Sequence, residues 1–192
     1  NLKKIENILK INFNDKELLI RSLTHKSYDE KNNNEKLEFL GDRVIGLVLS
    51  KKLISLYPNE SEGIIDKKFS NLVNQKTCKL IADQLSLKKF IRTGSSIKYL
   101  KSSNSKILSD TCEALIGAIY IDQGFSVSEK FILKTWDSYI KQSKITEIDP
   151  KTKLQEYSLK KYKKLPIYKM HKHTGPKHDP NFKVEVQISN SR

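Results

Sequence analysis

The longest apolar segment of the chain runs from Leu37 to Leu49 and places hydrophobic side chains on almost every side of a helical projection. This pattern predicts a helix that is buried over most of its circumference. Within it, Glu38 and Asp42 are four residues apart and therefore share one face of the helix. Because a buried ionised carboxylate is costly unless it is paired, hydrogen-bonded or metal-bound, we expect a positive charge at this face.

A second dense apolar segment extends from Ile107 to Ile121 and is closed by residues 122–124, Asp-Gln-Gly. It carries Asp110 and Glu113, which are three residues apart and again share a helical face. Two buried helices with two inward carboxylates each predict a site for a hard divalent cation, Mg²⁺ or Mn²⁺, since no His or Cys has zinc-ligand spacing. Taken singly, either pair could instead form a solvated helix face, and Asp110 could cap a helix N-terminus.

The remaining apolar positions divide the chain into two parts. Up to residue 143 they recur at helical spacing and no alternating strand occurs, which predicts an all-helical region. The helices predicted in addition to the two acidic segments cover residues 2–10, 18–23, 61–85 and 128–142. The first acidic helix continues to Tyr57, and Pro58 ends it.

The pattern changes after a polar segment, residues 144–150, which predicts a linker. Beyond it we expect a helix over residues 151–161, a strand over 166–173, a turn at 174–176 and an alternating strand over 181–188. A helix followed by a hairpin opens an α+β module, and we expect the chain to stop before that module closes.

The net charge of +14 is large for 192 residues, and it is unevenly distributed. Residues 149–192 carry 11 basic and 4 acidic residues, which is half of the excess. Such a field favours a polyanion, either a nucleic acid or an anionic membrane surface. A membrane is the weaker of these alternatives because the basic part shows no lipid-facing apolar stripe. No segment approaches the roughly 20 apolar residues of a membrane span, and the first six residues lack the apolar core of a signal peptide.

The two cysteines, Cys78 and Cys112, lie in helical segments without metal-ligand spacing. This placement favours buried reduced thiols and a cytoplasmic protein. A structural disulfide is the alternative.

Two motifs carry a family resemblance. Residues 35–42, Glu-Lys-Leu-Glu-Phe-Leu-Gly-Asp, resemble the signature motif of the ribonuclease III family. Residues 110–120, Asp-Thr-Cys-Glu-Ala-Leu-Ile-Gly-Ala-Ile-Tyr, resemble its second acidic motif, and residues 25–28, His-Lys-Ser-Tyr, fit its upstream segment. The match covers essentially the whole chain in the order of a bacterial ribonuclease III, an endoribonuclease that acts on double-stranded RNA.

The resemblance implies roles for six acidic residues. Glu38, Asp42, Asp110 and Glu113 would be the metal-binding carboxylates, and Asp42 and Glu113 would also be catalytic. Glu35 would be an accessory acid close to them, and Glu62 resembles a glutamate that the family places near the active-site valley of the partner subunit. The implied cofactor is Mg²⁺, with Mn²⁺ as a possible substitute.

The family further implies a homodimer that packs through its signature helices and holds double-stranded RNA in a valley, with one site cutting each strand. Metal ions would activate a water, bind the scissile phosphate and stabilise the leaving 3′ oxygen. The expected products have 5′-phosphate and 3′-hydroxyl ends with short 3′ overhangs, and the expected roles are rRNA and mRNA processing in the cytoplasm.

The C-terminal part resembles the first half of a double-stranded-RNA-binding domain. Such domains read A-form shape across successive minor grooves. Gln155 and Glu156 on the helix match one of the family's groove-contact regions, and Pro176, Lys177 and His178 in the hairpin loop match the other. A third strand and a final basic helix would follow Arg192 in the family, so we expect a truncated domain.

The complete expectation is an all-α endonuclease domain over residues 1–145, of the ribonuclease III helical fold, followed by a truncated α+β RNA-binding domain over residues 149–192. The alternative from another functional class is a catalytically silent relative that binds structured RNA as a scaffold. Silent relatives typically lose one or more of the catalytic acids, and all four are present here.

Overall fold

The structure is a computed structural model that describes residues 2–95, 105–143, 150–174 and 181–188. The chain divides into two compact units, Asn1–Thr146 and Glu147–Arg192. The predicted linker before Pro150 and the predicted hairpin turn beyond Thr174 lie outside the described residues.

Within the described residues, the first unit is helical and the second combines one helix with a hairpin, as the sequence predicts. The helices of the first unit are α1 (Leu2–Leu9), α2 (Lys16–Ser22), α3 (Glu35–Leu56), α4 (Glu62–Val73), α5 (Gln75–Gln84), a short 3₁₀ helix (Leu87–Lys89), α6 (Ser105–Thr135) and α7 (Asp137–Gln142). The second unit contains α8 (Pro150–Tyr162), β1 (Ile167–Thr174) and β2 (Asn181–Gln187).

The core of the first unit is built around α3 and α6, the two helices that carry the acidic pairs. Their buried side chains include Leu37, Ile45, Leu49, Leu115 and Ile116, each at most 1% exposed. The apolar segments thus form interior helices because their hydrophobic residues cover most sides of each helix. Of the described helices, none is both long enough and apolar enough to cross a membrane.

Two helices predicted as continuous are interrupted. The segment 61–85 breaks at Asn74, whose backbone is extended and whose side chain accepts a hydrogen bond from the backbone N–H of Thr77. The segment 128–142 breaks at the fully buried Trp136, whose indole Nε1 donates to the carbonyl oxygen of Leu72 at 3.0 Å. By contrast, the predicted end of the second acidic segment is confirmed, because α6 leaves helical geometry at Gly124, with φ 78° and ψ −179°.

The predicted burial of α3 over most of its circumference is wrong along one stripe. Phe39, Leu47 and Ile54 are 64%, 60% and 60% exposed. These residues lie on a face of α3 that no described element of the chain covers. We call Phe39, Leu47 and Ile54 the α3 stripe.

In the second unit, β1 and β2 pair antiparallel, with Tyr168 opposite Val186 and a register irregularity between Met170 and His173. Helix α8 is tied to the segment that precedes β1, because the Ser158 hydroxyl donates to the carbonyl oxygen of Lys164 at 2.6 Å. The ammonium of Lys151 on α8 lies 5.3 Å from the centre of the Tyr168 ring on β1.

Candidate active site

The acid-bearing helices α3 and α6 cross with their backbones in direct contact. A Cβ atom at Gly41 would lie 2.6 Å from the carbonyl carbon of Glu113 and 2.9 Å from the backbone nitrogen of Gly117. Only glycine leaves space for this approach. The contact brings the acidic pair of α3 next to the acidic pair of α6.

The carboxylates at this crossing influence one another. Burial raises the pKa of Glu113 to about 7, with further upward contributions from Asp42 and Asp110. Burial also raises the pKa of Glu38, and the charge of Asp110 adds to that effect. The Ser109 hydroxyl donates to Glu113 Oε1 at 3.2 Å and opposes part of the shift. All four predicted metal ligands therefore belong to one electrostatic cluster.

Basic side chains neutralise part of this cluster. The Lys106 ammonium donates to both carboxylate oxygens of Asp110 at 3.1 and 3.0 Å, and Arg43 forms an ion pair with Asp42. The accessory acid Glu35 is paired with Lys26 at 2.8 Å, and both side chains are exposed. The positive charge that the sequence leads us to expect is thus supplied in part by lysine and arginine.

The donor chemistry of the cluster fits a hard divalent cation, since its donors are carboxylate oxygens and two of these acids, Glu38 and Glu113, have raised pKa values. The positions of these carboxylates in this structure do not yet form a metal-binding group. Within the described residues, no three His, Cys, Asp or Glu side chains stand close enough together to hold a metal ion. In this arrangement the Lys106 ammonium is hydrogen-bonded to both carboxylate oxygens of Asp110.

A cavity of about 190 Å³ adjoins the crossing and is lined by Glu38, Asp110, Lys106, His25 and Asn34, among others. Sequence reasoning assigns no chemical role to His25 or Asn34. The only signal for them is position, because His25 lies in the segment that resembles the family's upstream motif and Asn34 directly precedes the signature motif.

The other predicted site residues lie elsewhere. Glu62 is in the first turn of α4 and is exposed. On α8, Gln155 is half-buried and Glu156 is exposed. The predicted loop contacts Pro176, Lys177 and His178 lie outside the described residues.

The two cysteines are free and buried, as predicted. Burial raises the pKa of the Cys78 thiol to about 12 and that of Cys112 well above its ordinary value. Both thiols are therefore held in the protonated, unreactive form.

Comparison with known families divides the chain at the same place as the fold. A Ribonuclease-III-like family model matches residues 15–140, and a model of the double-stranded RNA binding motif matches residues 150–192.

Two bacterial relatives named ribonuclease 3 match nearly the whole chain. The Pelagibacter ubique protein is 53% identical over 189 residues, which cover 98% of this chain and 85% of the relative. The protein from Rhizobium etli is 39% identical over 189 residues, covering 97% of this chain and 79% of the relative.

Solved structures agree with these matches. A nuclease domain of ribonuclease III from Campylobacter jejuni, described as flexible in the region involved in dimer formation, is 38% identical with a TM-score of 0.68, covering 73% of this chain and 99% of that domain. Dicer from Pichia stipitis, at 21% identity and a TM-score of 0.55, covers 93% of this chain and 82% of that protein and shares the fold. By its motifs, its fold and these relatives, this chain belongs to the ribonuclease III family.

Proposed function

We propose that this endoribonuclease cuts double-stranded RNA by metal-dependent hydrolysis of a phosphodiester and leaves 5′-phosphate and 3′-hydroxyl ends. The observation that carries the proposal is the coupled acid cluster at the α3–α6 crossing, where the pKa of Glu113 is raised to about 7. Bringing these carboxylates together costs free energy, since repulsion and desolvation both disfavour their charged forms, and a function that uses the cluster accounts for that cost. Strongly perturbed acids next to a cavity are typical of active sites.

The cofactor in this proposal is Mg²⁺, for which Mn²⁺ can substitute. Glu38, Asp42, Asp110 and Glu113 would hold it. When bound, the cation supplies Lewis-acid polarisation of the scissile phosphate and activation of a water.

The chain's own residues prepare this site. Ser109 orients Glu113 through its hydroxyl hydrogen bond at 3.2 Å. Lys106 and Arg43 balance the charge of Asp110 and Asp42 in the metal-free protein. On metal binding these cations would be freed, and they would then lie beside an arriving RNA phosphate.

The second unit supplies affinity for the substrate. Its first helix exposes Glu156, with Gln155 next to it, and we propose that these two residues contact the minor groove. We propose that Pro176, Lys177 and His178 form the second contact region. The net charge of +7 on residues 149–192 adds attraction to phosphates that does not depend on sequence.

The α3 stripe supports a homodimer. Three large apolar side chains separated by seven or eight residues on one helix, each at least 60% exposed, are typical of a surface that another protein covers. The Campylobacter jejuni nuclease domain is described as containing a region involved in dimer formation. In the dimer that we propose, α3 packs against the α3 of a second copy, and Glu62 lies near the valley of the other subunit.

The same proposal assigns residues 1–145 to the catalytic domain and residues 149–192 to the RNA-binding domain. It also places the protein in the bacterial cytoplasm, where it would process rRNA precursors and mRNA. This setting agrees with the two free thiols, Cys78 and Cys112.

The test is incubation of the purified protein with a long RNA duplex, with and without Mg²⁺, followed by end-group analysis of the products. We expect cleavage only with the metal, with phosphate at the 5′ ends and hydroxyl at the 3′ ends. Cleavage that persists in a strong chelator, or 5′-hydroxyl products, would contradict the proposal.

The matched variants are Glu113→Gln and Glu129→Gln, which change acids of α6 before and after the break at Gly124. The first should lower the cleavage rate by about 100-fold or more and leave RNA binding largely intact. The second changes an ion pair between Glu129, which is 25% exposed, and the exposed Lys51, and it should cut like the wild type. Retained cleavage by Glu113→Gln would remove Glu113 from the site and would favour a different set of acids.

A further inference from the structure

The imidazole of His25 is held in one tautomer. Its Nδ1 accepts the backbone N–H of Ser27 at 3.1 Å and lies 2.9 Å from the Ser27 hydroxyl. That hydroxyl in turn accepts the backbone N–H of Gly94 at 3.0 Å, which leaves its own proton for Nδ1. Because a backbone N–H can only donate, Nδ1 carries no proton, and the neutral ring has its proton on Nε2.

The Nε2–H of His25 is an unused donor. The Nδ1 edge of the ring is occupied by Ser27, while the side chain lines the cavity next to Glu38 and Asp110. In the described part of the chain, the Nε2 atom of His25 makes no hydrogen bond.

Asn34 supplies a second unused donor to the same cavity. Its side chain is 2% exposed, and its amide Nδ2 is buried without a hydrogen-bond partner. Although Asn34 directly precedes α3, its side chain makes no capping hydrogen bond, so helix capping does not explain its burial. A buried unsatisfied donor costs free energy unless a ligand or water accepts its hydrogen bond.

The cavity is therefore lined by two kinds of polar group. Glu38 and Asp110 present carboxylates, of which Asp110 is paired with Lys106, and His25 and Asn34 present N–H groups that require an acceptor. A phosphodiester is complementary to both, because one non-bridging oxygen can face a cation while the other accepts hydrogen bonds.

We infer that His25 Nε2–H and the Asn34 amide bind a non-bridging oxygen of an RNA phosphate beside the bond that is cut. The inference rests on the proposed function, since it places the substrate strand in the cavity next to the acid cluster. Both residues are thereby assigned a direct contact with the substrate. The 2′-hydroxyl oxygen is the other acceptor that RNA could offer, and the experiment separates the two.

The first part of the experiment compares side chains that restore or remove each donor. In His25→Gln the amide nitrogen reaches the position of Nε2, whereas in His25→Asn it reaches only that of Nδ1. We expect His25→Gln to keep kcat/KM close to the wild-type value and His25→Asn to lower it by about 10- to 100-fold, the loss typical of one hydrogen bond to a charged group. Rescue by glutamine alone is a readout that a purely structural role of His25 would not give.

Asn34→Ser replaces the amide donor by a shorter hydroxyl side chain and keeps a residue favoured before a helix. We expect a similar loss of kcat/KM, while Asn7→Ser, an exposed asparagine on α1, should behave like the wild type. Thermal melting of each variant shows whether it is folded at the assay temperature. If Asn34→Ser is unfolded, the glutamine and asparagine variants of His25 decide alone.

The second part identifies the RNA atom. Duplexes carry a single methylphosphonate, which replaces one non-bridging oxygen by methyl, at each phosphate flanking the cut in turn, or a single 2′-deoxy nucleotide at the same places. We expect one methylphosphonate position to lower wild-type cleavage and to abolish the difference between wild type and His25→Asn, because the contact is already lost. If a 2′-deoxy substitution abolishes that difference instead, the phosphate assignment is overturned.

The remaining outcomes are also decisive. A wild type that cuts duplex RNA while all variants stay within about twofold of it would overturn this inference and leave the proposed function standing. A wild type that cuts no duplex in Mg²⁺ would overturn the proposed function itself.

Discussion

Gly117 on α6 faces the backbone of Gly41 on α3 so closely that neither position can carry a side chain. A Cβ atom at Gly117 would lie 3.0 Å from the carbonyl carbon of Leu37 and 3.1 Å from the backbone nitrogen of Gly41. Asp42 follows Gly41 directly, and Glu113 lies one helical turn before Gly117. The distance between the two acidic pairs is therefore set by a backbone contact, which is stiffer than a contact between side chains.

Gly41→Ala should separate the helices, because its Cβ would collide with the backbone of Glu113 and not with a side chain that can rotate away. We expect a destabilisation on the order of 3 kcal/mol, the upper end of the usual cost of overpacking, measured by urea unfolding. Gly63→Ala on α4 is the matched control, because its Cβ would meet nothing within 4 Å and alanine favours a helix. Equal stabilities for the two variants would contradict the close crossing.

Glu113→Gln should stabilise the metal-free protein at high pH only. Since the pKa of Glu113 is raised from 4.5 to about 7 in the folded state, the folded protein binds this proton more tightly than the unfolded chain does. The favourable contribution of Glu113 to the free energy of unfolding is complete below pH 4.5 and is lost as the pH rises through about 7. Glutamine resembles the protonated acid and avoids that loss.

The measurement is thermal unfolding of wild type and Glu113→Gln in a chelator between pH 5 and 8. At pH 8 the variant should be more stable than the wild type by on the order of 1 kcal/mol, because solvent screens part of the interaction at this partly exposed group. At pH 5 the two should differ far less. Glu60→Gln, which changes an exposed loop acid, should follow the wild type at every pH. A constant offset between wild type and Glu113→Gln across this range would argue against a raised pKa at Glu113.

Leu47→Glu places a charge in the centre of the α3 stripe. If two copies pack through this surface, the carboxylate would be buried against apolar side chains, and self-association should weaken by at least about 100-fold. Light scattering across a dilution series measures this effect. Leu80→Glu on α5, another exposed leucine outside the stripe, should leave self-association unchanged. Loss of association in both variants would indicate a general effect of charge, and loss in neither would place the interface elsewhere.

Deletion of residues 149–192 should weaken RNA binding and flatten its dependence on salt. The removed segment carries a net charge of +7, and each lost phosphate contact lowers the slope of log K against log[salt] by roughly 0.9. Binding to a duplex at several salt concentrations gives the slope directly. Some cleavage should remain at low salt, because the acid cluster lies entirely in the first unit. Complete loss of low-salt cleavage would assign the second unit a role beyond affinity.

Much of the fold follows from local pattern. The apolar periodicity around Glu38, Asp42, Asp110 and Glu113 identifies two interior helices, and the alternation after residue 166 identifies the hairpin. These features are readable because helical and strand periods depend only on residues near one another in the chain. The break at Trp136 was not readable in this way, since it depends on the hydrogen bond to Leu72, 64 residues away.

The sequence by itself determined which residue types are available to the site, because four acids in apolar helices indicate cation chemistry wherever those helices pack. Tertiary structure alone decided how they are used. The contact of Gly41 with Gly117 sets the spacing of the acids, the uncovered side of α3 exposes Leu47, and the cavity collects His25 and Asn34 beside Asp110. Two of these relationships join segments that are distant in the chain, and the third depends on which side of α3 other elements leave uncovered. Local periodicity contains no information on either.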